Sequence, residues 1–128
     1  MVEKIKRSYQ TLGDALIDKI EYVSIFENTT SKTLNVYMKC LNWETDEWQR
    51  VKFVFADVFL FQYIDNRKIQ SAVVFEALIE QNESGIVVDF FPTQVDGLGK
   101  LEEDPESSFL VHCKTISYEV LGQRLTVS

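Results

Sequence analysis

Histidine, cysteine, proline and glycine are all scarce in this chain, and each scarcity limits what the chain can do. One histidine and two cysteines without zinc-ligand spacing argue against a metal centre, so we expect no metal and no cofactor. The short glycine-rich stretch 97–100 lacks the spacing of a phosphate-binding loop. Two prolines and five glycines leave no compositional sign of disorder over most of the chain.

Long apolar runs are absent as well. No run approaches the roughly 18 residues that cross a bilayer, and the charged start of the chain has no apolar stretch behind it. We therefore expect a cytoplasmic protein that binds no membrane. In that reducing compartment, Cys40 and Cys113 are expected to be free thiols that behave as small buried hydrophobic side chains.

Positive charge is in deficit, and the deficit is confined to one stretch of the chain. The net charge of −7 argues against nucleic acid and anionic membranes as partners. Residues 71–107 hold nine acidic residues against Lys100 alone, which sums to −8, whereas the charges of residues 1–70 cancel. The excess carboxylates therefore gather in one part of the sequence.

Aromatic residues, in contrast, are abundant. Nine Phe, five Tyr and two Trp favour strands and a well-filled core. Before the strands, apolar residues within 3–20 recur at spacings of three and four, which predicts one N-terminal amphipathic helix. Thr11 and Asp14 fit a capping box, so a start of this helix at Thr11 is an open alternative.

Alternation of apolar and polar residues predicts strands after the helix. Their expected positions are 21–26, 34–40, 51–55, 58–64, 86–91 and 108–121. The first two are expected to form a hairpin, and the last to bend near Lys114. The run 58–64 is apolar on both faces, which predicts a central strand or a strand that crosses a barrel wall.

Two segments are harder to assign. Residues 69–81 fit a helix or a strand, and the following turn-forming residues 82–85 favour a strand in a hairpin. Residues 92–108 contain both prolines and an acidic cluster, and we expect an exposed loop there. Together, these elements predict one domain over residues 1–128, mainly β within the α+β class. It should have about seven strands in a strongly bent antiparallel sheet or partly open barrel.

A turn with two tryptophans is the most distinctive local motif. It contains three acids between the two Trp, and its candidate contact residues are Trp43, Glu44, Asp46, Glu47 and Trp48. One interpretation is an aromatic pair across the hairpin that stabilises the fold. The other is an aromatic and acidic contact patch for a basic protein, since Trp is enriched at the energetic centres of interfaces.

The acidic cluster is the second candidate for partner contact, through Glu102, Glu103, Asp104 and Glu106. Its carboxylates either keep the surface solvated or form a docking face for a basic protein. Small acidic inhibitors of basic toxins, such as bacterial immunity proteins, are similar in size and charge. That similarity is one of class, because no family signature accompanies it. The resulting expectation is a non-catalytic binding protein, as a monomer or as a homodimer formed through exposed strand edges.

Two alternative functions use other residues. A small-molecule binding module would have an aromatic pocket, with candidate lining residues Phe53, Phe55, Phe90, Asp89 and His112. An enzyme would use Asp89 and His112 as acid and base, although no nucleophile motif accompanies them. Asp89 stands within an apolar run, which makes it the carboxylate of greatest interest. His112 and Cys113 are expected on opposite faces of one strand, so they form no nucleophile–base pair.

Overall fold

A computed structural model describes residues 1–25, 31–64, 73–95 and 100–123. The described residues form one helix and eleven strands. These elements are α1 (Val2–Tyr9), β1 (Ala15–Ile25), β2 (Ser31–Asn42), β3 (Glu47–Ala56), β4 (Leu60–Tyr63), β5 (Val73–Val74), β6 (Leu78–Asn82), β7 (Gly85–Asp89), β8 (Thr93–Val95), β9 (Lys100–Glu102), β10 (Phe109–Cys113) and β11 (Thr115–Gln123).

The strands form three sheets in which every pairing is antiparallel. One sheet has the order β11-β3-β2-β1-β5, a second has the order β4-β10-β7-β6, and β8 pairs with β9. The mainly β fold with one N-terminal helix is confirmed. The expected single bent sheet of about seven strands is replaced by eleven strands in three sheets, and the described residues form no closed barrel. Strands of two or three residues are too short to leave an alternating pattern in the sequence.

The inner faces of the two larger sheets share one hydrophobic core. Leu34, Val36, Met38 and Cys40 alternate in β2 and are all buried, as the pattern predicted. The Phe55 ring of β3 and the Phe90 ring after β7 lie 6.5 Å apart edge to face, which joins the two sheets. Cys40 and Cys113 are both free and buried, as expected.

The helix is shorter than the predicted range. Ile5 and Tyr9 are buried on one side of α1, which confirms the amphipathic pattern. A helix start at Thr11 is wrong, because Ala15 already belongs to β1. Gln10, Leu12 and Asp14 have positive φ values of 51°, 56° and 61° and turn the chain from the helix into the strand. With eight residues α1 cannot span a bilayer, and no other helix occurs in the described ranges.

The hairpins follow the prediction closely. β1 pairs with β2, and β6 pairs with β7 across the predicted turn at residues 82–85, which confirms the strand interpretation for Leu78–Asn82. The expected single strand is interrupted at residues 75–77, and Val73–Val74 forms the separate strand β5 in the other large sheet. Residues 69–72 lie outside the described ranges. The predicted bend falls at Lys114, where the chain passes from β10 in one sheet to β11 in the other.

Two predicted segments differ in the structure. The run 58–64 contains β4, which lies at the end of its sheet and is not central. Val58 is buried and Phe61 packs against the core, whereas the other apolar residues of the run are exposed to solvent, namely Phe59, Leu60, Tyr63 and Ile64. The expected exposed loop 92–108 contains β8 and β9, which pair with each other, and part of it is held against the four-stranded sheet by hydrogen bonds. Residues 96–99 of the predicted loop lie outside the described ranges.

Candidate functional site

The acidic segment, residues 102–106, lies against the outer face of the four-stranded sheet. The register aligns Gln62 of β4, Leu110 of β10 and Asp89 of β7 in one row across three strands. Neighbouring residues such as Val88 face the core, so this row faces away from it. Leu110 is nevertheless only 2% exposed. The segment therefore covers this part of the outer face.

Asp89 anchors the acidic segment from beneath. Its side chain is fully buried, and its Oδ1 accepts hydrogen bonds from the Phe91 backbone N–H at 3.0 Å and from Ser107 Oγ at 2.5 Å. Its Oδ2 accepts a hydrogen bond from the Asp104 backbone N–H at 2.8 Å. Three donors thus satisfy a carboxylate that would otherwise be costly to bury.

Gln62 holds the same segment from the neighbouring strand. Its Nε2 donates to the backbone oxygens of Pro105 at 3.0 Å and Ser107 at 2.6 Å. Within the segment, Asp104 Oδ1 accepts a hydrogen bond from the Glu106 N–H at 2.9 Å, which tightens the turn. The backbone of residues 104–107 is therefore fixed at several points.

His112 secures the segment at a further point. Its Nε2 lies 2.6 Å from Glu103 Oε2, and its ring meets the Phe59 ring edge to face at 5.8 Å. The two acid–base candidates thus have different partners, since Asp89 binds backbone and Ser107 while His112 binds Glu103. Cys113 is fully buried on the opposite face of β10, as predicted.

The anchored segment presents carboxylates of differing exposure. Glu102 and Glu106 are exposed, and Glu103 and Asp104 are half-buried. The arrangement is a set of acceptors held at fixed positions, which suits lysine and arginine side chains. Across the described ranges, no group of three or more His, Cys, Asp and Glu side chains is placed to hold a metal ion.

The tryptophan turn is built differently from a cross-strand aromatic pair. The β2–β3 register pairs Leu41 with Trp48 and Asn42 with Glu47, so Trp43 lies in the turn itself. Asn42 Oδ1 accepts hydrogen bonds from the two residues that follow Trp43, which fixes the turn. Trp43 is 49% exposed and Trp48 is 43% exposed, so both rings offer contact area to a partner.

Helix α1 supports this turn from one side. Ser8 Oγ donates to Glu44 Oε1 at 2.6 Å, and the Ser8 carbonyl accepts from the Trp43 N–H at 2.7 Å. The buried Tyr9 hydroxyl donates to Gln49 Oε1 at 2.7 Å, and burial raises the pKa of Tyr9 well above its ordinary value. The Glu44 carboxylate therefore already has a hydrogen-bond partner in α1, whereas Asp46 is exposed and Glu47 is half-buried.

The predicted aromatic pocket residues lie in the core. Phe53 and Phe55 are almost fully buried, and Phe90 stacks on Phe109 with ring centroids 4.3 Å apart. Phe90 also borders an open cleft of about 240 Å³ beside Phe75, whose side chain is 84% exposed. A larger open cleft of about 370 Å³ shares Leu101 with the first and is also lined by Lys6, Gln10, Thr11, Ala77, Leu78 and Ile79.

Sequence reasoning missed the residues that position the acidic segment. Gln62 is the one residue of the run 58–64 whose side chain is neither aliphatic nor aromatic, and this exception could have identified it as a residue with a specific polar contact. Ser107 and Ser8 carried no signal, because serine is common in loops and at helix ends. Comparison with family models, curated proteins and solved structures finds no match to this chain, so function must be argued from these contacts.

Proposed function

We propose that this chain is a small, non-catalytic binding protein whose acidic segment, residues 102–106, engages a basic protein partner. The observation that carries the proposal is the buried Asp89 carboxylate, which accepts hydrogen bonds from the Asp104 backbone N–H within the segment and from Ser107 Oγ directly after it. A set of acids that served solubility alone would need no such anchor. The net charge of −7 supports the same class of partner.

Anchoring matters because ordering a loop opposes binding. Fixing the backbone of one residue costs roughly 1–2 kcal/mol, and a segment that is ordered before the partner arrives avoids this cost at the moment of association. The segment therefore offers Glu102 and Glu106 at defined positions to cationic side chains. Complementary charge also accelerates encounter, and both effects weaken as salt concentration rises.

The tryptophan turn is the second contact region of this proposal. Its two exposed rings and the exposed Asp46 combine apolar area with negative charge. Within the described ranges, no hydrogen bond or ion pair of the turn reaches the acidic segment, so the two regions can be tested separately.

The test is affinity capture from host extract with the wild-type chain, a neutralised variant and a charge-matched control. The neutralised variant carries Glu102→Gln, Glu103→Gln, Asp104→Asn and Glu106→Gln, which preserve side-chain shape. The control removes the same number of charges from exposed positions elsewhere, through Glu3→Gln, Asp14→Asn, Asp57→Asn and Glu119→Gln.

We expect the wild-type chain and the control to capture the same basic protein in stoichiometric amount and to release it at high salt. The neutralised variant should capture much less, because the cationic side chains of the partner lose their acceptors. Equal capture by the neutralised variant would contradict the role of the segment, and a stoichiometric partner with no basic surface would contradict the class of partner.

A small-molecule binding module is the second candidate, and the cleft of about 370 Å³ favours it, since that volume lies at the small end of ligand sites. Apolar Leu78 and Leu101 line this cleft beside the cationic Lys6, which suits a small amphipathic anion. Native mass spectrometry of the protein purified from its host tests this candidate. A retained ligand that Leu78→Trp displaces would support it, and absence of any bound mass would count against it.

An enzyme that uses Asp89 and His112 gains no support from the contacts of those residues. Asp89 is fully buried, and both of its oxygens already accept hydrogen bonds from the protein. A general base must reach the proton that it removes from the substrate. Asp89 therefore has a structural role in this fold.

A further inference from the structure

Among the described residues, strand β4 ends the four-stranded sheet and pairs with β10 alone. The Ile64 N–H donates to the Ser108 carbonyl at 2.8 Å, and the register pairs Gln62 with Leu110. Backbone groups alternate in direction along an antiparallel strand. The N–H and C=O groups of Phe61 and Tyr63 therefore point away from β10, toward the outer edge of the sheet.

The same strand exposes an unusual amount of apolar surface. Phe59, Leu60, Tyr63 and Ile64 are 51%, 39%, 51% and 52% exposed. The Phe61 ring lies 4.9 Å from the ring of Tyr22 on β1, which is itself 43% exposed. Alternate side chains lie on opposite faces of a strand, so Leu60 and Ile64 expose apolar surface on the face of Gln62, and Tyr63 exposes it on the face of Phe61. Exposed apolar side chains that are concentrated along one edge strand are typical of an interaction surface.

The other edges of the two larger sheets carry features that block strand addition. β11 has an exposed Glu119 and an irregularity between Val120 and Gly122. β5 pairs only with Ala15 and Leu16, so the rest of that edge belongs to β1, where the charged Asp18 and Lys19 are exposed. β6 has an exposed Glu80, and the residue before it, Ala77, donates its N–H to the Thr11 carbonyl at 2.6 Å. In β4 and its flanking residues, 58–64, there is no charge and no proline.

We propose that β4 is a self-association surface on which two copies of this chain pair antiparallel, edge to edge. The occupant is a second copy because the strand is self-complementary. A two-fold axis at Gln62 places Phe61 opposite Tyr63 of the other copy, which matches their outward backbone groups, and places Leu60 opposite Ile64. Each of these cross-strand pairs is apolar or aromatic and stabilises the pairing.

Charge favours the same choice. Two copies that each carry −7 repel one another over much of their surface. The uncharged run 58–64 is a place where they meet without opposing like charges. A basic partner gains nothing at this edge from its charge, so the acidic segment and β4 serve different partners.

The test is the mass of the protein in solution, measured by sedimentation equilibrium over the micromolar range. The disrupting variant is Leu60→Glu with Ile64→Glu, which places carboxylates opposite carboxylates in the proposed register. The restoring variant is Leu60→Lys with Ile64→Glu, which places opposite charges at the same two positions. The control is Phe75→Glu, an exposed aromatic residue away from β4.

We expect the wild-type chain and the control to dimerise. The disrupting variant should raise the dimer dissociation constant by about tenfold or more, and the restoring variant should recover most of that loss. Circular dichroism and thermal unfolding of each variant establish that it remains folded. A monomeric wild-type chain across this range overturns the proposal, and so does equal weakening by the disrupting and restoring variants.

Discussion

Asp89 Oδ2 accepts a hydrogen bond from the Asp104 backbone N–H at 2.8 Å, which links two acidic residues fifteen positions apart with opposite roles. The Asp89 carboxylate is buried and satisfied by the fold, whereas Asp104 and its neighbours present carboxylates at the surface. The proposed binding surface therefore depends on a residue that no partner can touch.

Substitution of Asp89 should destabilise the fold and release the acidic segment. In Asp89→Asn, an amide N–H₂ replaces one of two acceptor oxygens and faces a protein donor. A buried group left without its partner costs about 1–3 kcal/mol. Urea unfolding should show that loss, and amide hydrogen exchange at Asp104 and Ser107 should accelerate by more than the loss of global stability explains. The exposed Asp57→Asn is the control, and equal exchange in the two variants would contradict the anchoring role.

Gly85 is required in the turn between β6 and β7. Its φ is +142°, and a Cβ at this position would lie 2.5 Å from the Cys113 carbonyl oxygen. We expect Gly85→Ala to reduce the free energy of unfolding by about 1–3 kcal/mol or more, from backbone strain and this clash. Gly122→Ala is the matched control, because nothing lies within 4 Å of its added Cβ. Similar unfolding energies for both variants would show that the β6–β7 turn can rearrange freely.

Local patterns in the sequence predicted much of this fold. Alternation in β2 identified its buried residues, and the position of Asp89 in an apolar run marked it correctly as unusual. The partners of Asp89 could not be predicted, because Asp104 and Ser107 are distant in sequence and reach it only after the segment folds back over the sheet. Hydrogen bonds of this kind depend on tertiary structure and leave no local period.

Strand order was also beyond local reasoning. The run 58–64 is apolar on both faces, which is typical of a central strand, yet in the part of the chain that the structure describes β4 pairs with one strand, β10. Composition reports how apolar a strand is but not which strands pair with it. The end of α1 could not be predicted either. The helix ends where Gln10, a non-glycine residue, adopts a positive φ, and its residue type gives no sign of this.

The two thiols should resist modification in the native protein. Burial raises the pKa of Cys40 to about 12 and, with a smaller effect from Asp57, the pKa of Cys113 to about 11, from an ordinary value of 9.0. As pH rises, the thiols of the unfolded chain lose their protons before the thiols of the folded protein do. The stability that the folded protein gains from its buried neutral thiols is therefore present below pH 9 and is lost as pH rises toward 11.

Thiol labelling and alkaline unfolding together check this expectation. Native protein at neutral pH should react with a thiol reagent only as fast as it opens, and both cysteines should react at once in urea. The decline in stability above pH 9 should be smaller in Cys40→Ala and Cys113→Ala than in the wild-type chain. Rapid labelling of the native protein would show that one thiol is accessible.

The exposed tryptophans should contribute to binding more than to stability. Trp43→Ala and Trp48→Ala each remove a half-exposed ring, so we expect a stability loss below about 1 kcal/mol. If the turn contacts the partner, one of them should weaken binding by about 2 kcal/mol. Phe75→Ala, at another exposed aromatic residue, is the control. A stability loss above about 2 kcal/mol without weaker binding would assign the rings to the fold.

Binding of a basic protein by residues 102–106 is tested by isothermal titration of the captured partner, repeated over a range of salt concentrations. The neutralised variant at residues 102–106 should bind about tenfold or more weakly at low salt and show a flatter salt dependence than the wild-type chain. The charge-matched control should stay close to the wild-type chain in both respects. Wild-type affinity and salt dependence in the neutralised variant would contradict the proposal that this segment binds a basic protein.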